Sequence, residues 1–230
     1  MNKEQDHKLL VIDNALDHEF YRPVEHWSQA AGFQLKSVHP PSGQALPDVD
    51  TASHVILSGS EASIIMREPW AEEEARWIQE AVKAGTKLLG SCWGHQLLAV
   101  ALAGPDAVQR SHSPEFGWLQ LNPTSDDPLL PRGDFWCFSS HFDEVQADAH
   151  PEMRILATSA GCSVAAMRWG SAAVFGLQTH PEVDPSAGQD FLEGCLTRWP
   201  AHSKIFKQGL SGPVQDDGVA SGIVSRFLAI

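Results

Sequence analysis

The sequence is poor in cysteine, in positive charge and in long apolar runs, and each shortage closes off a class of protein. Its four cysteines, Cys92, Cys137, Cys162 and Cys195, form no Cys-x-x-Cys pair among 230 residues and fall far short of a secreted disulfide scaffold. Reduced thiols in a cytoplasm are the simplest expectation. Sixteen Lys and Arg against 29 Asp and Glu leave a formal net charge of −13, whereas nucleic acids and anionic membranes need a basic surface that displaces counterions. Neither is expected as a partner. No stretch is long enough to span a bilayer, and the charged segment Met1 to Lys8 runs straight into a strand without the apolar core of a signal peptide. The expected location is therefore cytoplasmic. Eleven histidines show no His-x-x-x-His spacing and no mixed His/Cys spacing backed by further ligands, so no metal and no other cofactor is expected.

What the sequence has is enough apolar content, 43%, for a large core, in a pattern of alternating strands and helices. Leu9 to Asp13 reads as a first strand, Glu19 to Ala31 as a helix closed by Gly32, Phe33 to His39 as a second strand and Val55 to Ser58 as a third. Pro69 opens a helix whose Glu72-Glu73-Glu74 start reads as solvated, and Gly85 closes it. Between Val108 and Gln178 short β-like runs at 118–121, 135–138, 154–157 and 163–166 predict mixed or antiparallel strands. Asp190 to Trp199 reads as a helix, Pro200 to Gly222 as irregular, and Ile223 to Ile230 as a last helical turn or two. The expected fold is α/β, a mostly parallel, open twisted sheet with helices on both faces and a small additional β region, in one domain over 1–230.

The chemistry concentrates at Gly90-Ser91-Cys92-Trp93-Gly94-His95-Gln96, between the apolar run 86–89 and the apolar run 97–102. A strand that breaks at small residues into a helix, with a cysteine on the break, is a nucleophile elbow. The helix N-terminus there favours thiolate over thiol at Cys92. A partner base stands at the end of the strand-like run 173–178, in Thr179-His180-Pro181-Glu182. Residues i and i+2 of an extended segment face one side, so Glu182 can orient the His180 imidazole, and Cys92, His180 and Glu182 become nucleophile, base and orienter. Cys137, Cys162 and Cys195 lie in apolar runs and read as core, His95 as a locally packed residue, and Trp77, Trp136 and Trp199 as packing.

In these blocks the chain resembles the class I, triad-type glutamine amidotransferases. A third block, His54-Val55-Ile56-Leu57-Ser58-Gly59-Ser60-Glu61, is similar to the strand and glycine loop that help build the family's oxyanion hole. Glu115-Phe116-Gly117-Trp118 and Ser139 to Val145 echo the GMP-synthase-like branch. The match covers about 9–183 and leaves a C-terminal extension over about 184–230.

The resemblance implies a flavodoxin-like core and hydrolysis of the glutamine γ-amide through a γ-glutamyl thioester. It implies an oxyanion hole from the Trp93 N–H and the Gly59-Ser60 loop, and substrate contacts from Gln96 and the segment Ser140, His141, Phe142 and Asp143. Two departures stand out. Gly59-Ser60-Glu61 replaces the Gly-Gly-Pro of many members, and Phe142 stands where GMP synthases usually have glycine. The chain has no phosphate loop of its own, so the reading is a glutaminase that releases ammonia to a separate synthetase. The alternatives are a self-sufficient hydrolase of γ-glutamyl amides or peptides, which Gly59-Ser60 favours mildly, and an inactive regulatory homologue.

Overall fold

The computed structural model describes residues 9–230, so the reading of Met1 to Lys8 lies outside the described residues. Among the described residues nine strands form one sheet: β1 (Leu9–Ile12), β2 (Lys36–Val38), β3 (His54–Leu57), β4 (Lys87–Ser91), β5 (Val108–Pro123), β6 (Phe135–Val145), β7 (Met153–Thr158), β8 (Ala166–Trp169) and β9 (Val174–Leu177). Their order is β2-β1-β3-β4-β9-β8-β7-β5-β6. The first five in that order pair in parallel and the rest pair antiparallel. The expected α/β architecture is present, with the antiparallel strands continuing the same sheet.

Burial explains the parallel half. Every residue of β1, β3 and β9 is buried, as continuous apolar runs require when helices cover both faces. Leu10, Ile12, Val55, Leu57 and Leu88 face α2 (Pro69–Ala84) and α3 (Trp93–Ala103) in one core cluster. Their neighbours Leu9, Val11, Ile56 and Leu89 face α1 (Pro23–Ala31) and α6 (Val219–Ala229) in another, around Trp27, Ile223 and Phe227. A third cluster packs α4 (Pro185–Arg198) and α5 (Ser203–Ser211) on β5 and β6. Among the described residues no helix is long and apolar enough to cross a membrane.

Strand order reverses between β1 and β3, and in such sheets ligands settle in the crevice beyond the C-terminal strand ends. Those ends carry Asp13, Ser58-Gly59 and Cys92. Several boundaries differ from expectation. Helix α1 starts at Pro23, because amides of Phe20 and Tyr21 bond the Asp17 carbonyl in a turn ahead of it. Asp184 caps α4 through the Ala187 amide at 2.8 Å, so that helix begins at Pro185. The strand expected over 163–166 begins at Ala166 instead. The glycine-rich segment after Pro200 contains α5 where irregular chain was expected. Gly209 explains it, since a Cβ there would stand 2.7 Å from the Phe116 carbonyl oxygen. That glycine serves close packing.

Glu74 is a correction within the Glu72-Glu73-Glu74 start: it is fully buried and accepts from Asn14 Nδ2 at 3.1 Å. Burial outweighs that bond and pushes its pKa up to about 8. The unfolded chain releases this proton near 4.5 while the folded chain keeps it to about 8, so raising the pH across that window favours unfolding, by up to about 1.4 kcal/mol per unit. Glu74→Gln, which cannot ionise, is expected to flatten the fall in melting temperature between those limits. Parallel slopes for both proteins in pH-dependent melts would exclude this role.

Candidate active site

The elbow is built by contact. A Cβ on Gly90 would lie 2.6 Å from Gly94 backbone atoms, and one on Gly94 would strike the Leu57 carbonyl. Only glycine lets the strand, the turn and α3 approach so closely. Cys92 sits between them at φ 49°, the one non-glycine with positive φ among the described residues. That strain is held by its amide, which donates to the Leu177 carbonyl at 2.8 Å.

His180 stands opposite. Its amide donates to the Phe138 carbonyl at 2.7 Å, which ties the end of β9 to β6. Its Nδ1 lies 2.9 Å from Glu182 Oε1, and its ring and Cys92 line the same cavity. Burial alone would lower the His180 pKa. The charges of Cys92 and Glu182 overcome it and raise the value to about 10. Burial likewise works to raise the Glu182 pKa, yet the His180 charge and its hydrogen bonds hold it below the usual range.

Two further groups fix Glu182. The Tyr21 hydroxyl donates to Oε1 at 2.6 Å, and Ser91 Oγ lies 3.1 Å from Oε2. Tyr21 is the only tyrosine in the chain, and the sequence reading missed it because the turn at 17–21 looks like helix. Tyr21→Phe removes a charge-assisted bond, which predicts a loss of about tenfold in turnover with the fold retained. Unchanged turnover would remove Tyr21 from the site.

Cys92, His180 and Tyr21 open onto a cavity of about 290 Å³ that also reaches Ser60, Trp93, Gln96, Ser140, His141, Phe142 and Asp143. Gly59 lies beneath the imidazole, where a Cβ would come 2.6 Å from His180 Cε1. Cys92 Sγ is 3.5 Å from the Ser140 carbonyl oxygen. Gln96 Nε2 donates to the Asp143 carbonyl at 2.7 Å and to Gln178 Oε1 at 3.1 Å, so this amide braces the wall. Gln178, unremarked in the sequence, then points Nε2 at Cys92 Sγ, 3.8 Å away.

The His141 imidazole is turned into the protein. Its Nδ1 faces the Asp143 carbonyl at 3.0 Å and its Nε2 faces Glu115 Oε2 at 3.3 Å. Both nitrogens are engaged, leaving His141 to shape the wall. Arg110 pairs with Asp143 at 3.2 Å and lies over the Phe142 ring, 4.4 Å from its centre.

The extension beyond 184 contributes Phe191, Cys195, Trp199 and His202 to the same cavity, which no motif in the sequence signalled. Cys195 and Trp199, expected as packing, are also lining residues, although burial pushes the Cys195 thiol up to about 12. His95 is buried against Gly176, and burial lowers its pKa to about 3, which keeps it neutral.

Residues 11–199 of the chain match the family described as Glutamine amidotransferase class-I. The chain belongs to that family. Within the class-I amidotransferases it is similar to a glutamine-hydrolyzing GMP synthase subunit of Methanothermobacter thermautotrophicus, 31% identical over 181 residues that cover 76% of this chain and 88% of that one. It is 37% identical over 160 residues to the glutamine-hydrolyzing GMP synthase of Aeropyrum pernix, covering 67% of this chain but only 28% of that protein's length. A glutamine amidotransferase from Thermotoga maritima shares the fold, with TM-score 0.75 and 21% identity over 97% of this chain and 96% of that one.

Proposed function

We propose that this class-I amidotransferase chain is one glutaminase domain that hydrolyses the γ-amide of glutamine and delivers ammonia to a separate synthetase. The observation that carries the reading is that Cys92, on a strained elbow, and His180 line one cavity while Glu182 holds the His180 ring from behind at 2.9 Å. In this mechanism the Cys92 thiolate attacks the amide carbon. The oxyanion that forms is stabilised by the backbone N–H of Trp93 and by the Gly59-Ser60 loop, each donor worth about 3 kcal/mol of barrier.

His180 gives its proton to the departing nitrogen, the C–N bond breaks, and ammonia leaves a γ-glutamyl thioester on Cys92. The now neutral imidazole takes a proton from water, whose oxygen attacks the thioester, and glutamate leaves as the thiolate is restored. Glu182, braced by Tyr21 and Ser91, keeps Nδ1 protonated throughout. Gln96 and the Ser140–Asp143 segment hold the α-amino and α-carboxylate groups in this scheme, mainly through backbone.

The Methanothermobacter relative, named as one subunit of a synthase, supports a partner synthetase, since the match covers 88% of that subunit and 76% of this chain. Four free cysteines suit a cytoplasmic setting. A second reading, hydrolysis of a larger γ-glutamyl amide, is favoured by the aromatic wall of Phe142, Phe191, Trp199 and His202, which extends the cavity beyond the elbow. Glutamate release by the purified chain from glutamine and from a panel of γ-glutamyl amides separates the two. Slow turnover of glutamine that rises with a partner supports the amidotransferase; fast unaided turnover of one conjugate supports the hydrolase.

A further inference from the structure

Outside the cavity, Asp13, His18 and His39 come together from three segments that no sequence spacing connects. One ligand atom from each lies within 4.8 Å of the others. Asp13 follows β1, His18 sits in the turn after it and His39 follows β2, so the cluster forms at the C-terminal edge of the sheet. None of the three lines the cavity that holds Cys92.

Two of the three are set by the fold. Asp13 is buried, its amide donates to the Val38 carbonyl at 2.9 Å, and its Oδ1 accepts from the Ala15 amide at 3.1 Å. Oδ2 is left for His18, whose Nε2 stands 2.8 Å away. His39 has its amide on Gln44 Oε1 at 2.9 Å and its ring Nε2 against the Ala15 carbonyl at 2.8 Å. A carbonyl can only accept, so Nε2 carries the proton and Nδ1 presents a lone pair. An imidazole whose far N–H is anchored to a backbone carbonyl is the usual support of a metal ligand, because it fixes both tautomer and ring plane.

The third ligand is adjustable. The His18 side chain is 48% exposed and its ring lies 4.8 Å from that of His39. Zinc bonds of about 2.0 to 2.2 Å in a tetrahedral arrangement separate neighbouring ligand atoms by roughly 3.3 Å. The exposed His18 ring can swing to adjust its own separations from Asp13 and His39.

We propose that Asp13, His18 and His39 form a binding site for one first-row divalent metal ion, with zinc as the best match. Two imidazole nitrogens and one carboxylate oxygen suit its borderline character, and water completes the fourth position. His18 exchanges its hydrogen bond to Asp13 for a metal bond. The ion then clamps the chain between β1 and α1 onto the end of β2. That clamped chain includes Tyr21, so the metal steadies the loop whose hydroxyl reaches Glu182. Binding itself does not rest on the reaction proposed above.

The test is made on tag-free Cys92→Ser protein, which lacks the active-site thiolate that could capture a soft metal. Calorimetric titration with zinc chloride is expected to show one ion per chain. His18→Ala in the same background is expected to weaken it at least tenfold, and His39→Ala likewise. Cobalt(II) is expected to give ligand-field bands without a thiolate charge-transfer band, and zinc to slow amide exchange over 14–21. Should His39→Ala fail to fold, the exposed His18→Ala and His18→Gln decide the matter. Absence of stoichiometric binding, binding untouched by the His18 variants, or binding only when Cys92 is present would each overturn the proposal.

Discussion

Cys92→Ala is expected to lower glutamate release from glutamine by about 10⁴-fold or more while leaving the melting temperature almost unchanged. The size follows from the nucleophile's role: with no thiolate there is no thioester, and the oxyanion donors and substrate contacts alone retain only a small residue of catalysis. The fold survives because alanine fits the same volume and inherits, without adding to it, the φ of 49° at the elbow. No other thiol can stand in. Cys195 reaches the cavity, but burial holds its pKa up at about 12, which leaves it a thiol at neutral pH. Steady-state assay of both proteins, with melts as a control for folding, checks the prediction. Activity within tenfold of the parent would remove Cys92 from the chemistry.

Glu182→Gln is expected to cost about 10² to 10⁴ in turnover, through a different route. The carboxylate accepts three donors: the His180 ring, the Tyr21 hydroxyl and Ser91 Oγ. An amide offers one accepting oxygen and two N–H donors of its own, so it cannot serve all three. If its nitrogen turns to His180, the imidazole must present a lone pair at Nδ1 and carry its proton on Nε2, which is the wrong tautomer for a base. The same change removes a negative charge that helps raise the His180 pKa. The imidazolium is then less favoured, and the pH at which the protonated ring is lost falls. A kcat–pH profile reads both effects, a lower plateau and an alkaline limb moved to lower pH. An unaltered profile would show that Glu182 does not act on His180.

The elbow and its partner were legible because each rests on local sequence. Gly90 is needed for a backbone approach within one strand–turn–helix and Gly94 for the seat of that helix on β3, while His180 and Glu182 are two residues apart in sequence, brought side by side by a turn closed by the Val183 amide on the His180 carbonyl where an extended segment was expected. Tyr21 and Gln178 were not, since their roles arise across the sheet: Tyr21 is 161 residues from Glu182, and Gln178 meets Cys92 from a neighbouring strand. Glu74 looked like an ordinary acidic helix start, and only the packing of α2 over Asn14 buries it. Helix α5 was hidden by glycine, serine and proline composition, although Gly209 is where the chain presses on Phe116. His141 shows the reverse, a residue placed in the site by its motif whose ring is spent on Glu115 and the Asp143 carbonyl.

The most direct test of the central claim is to look for the covalent intermediate. The purified chain is mixed with glutamine, quenched in acid within the first turnover, digested, and mapped by mass spectrometry. A γ-glutamyl group is expected on the peptide containing Cys92, absent from Cys92→Ala protein and lost on treatment with hydroxylamine. Glutamate formed in the same quench with no adduct on Cys92, or an adduct on Cys195 instead, would contradict it.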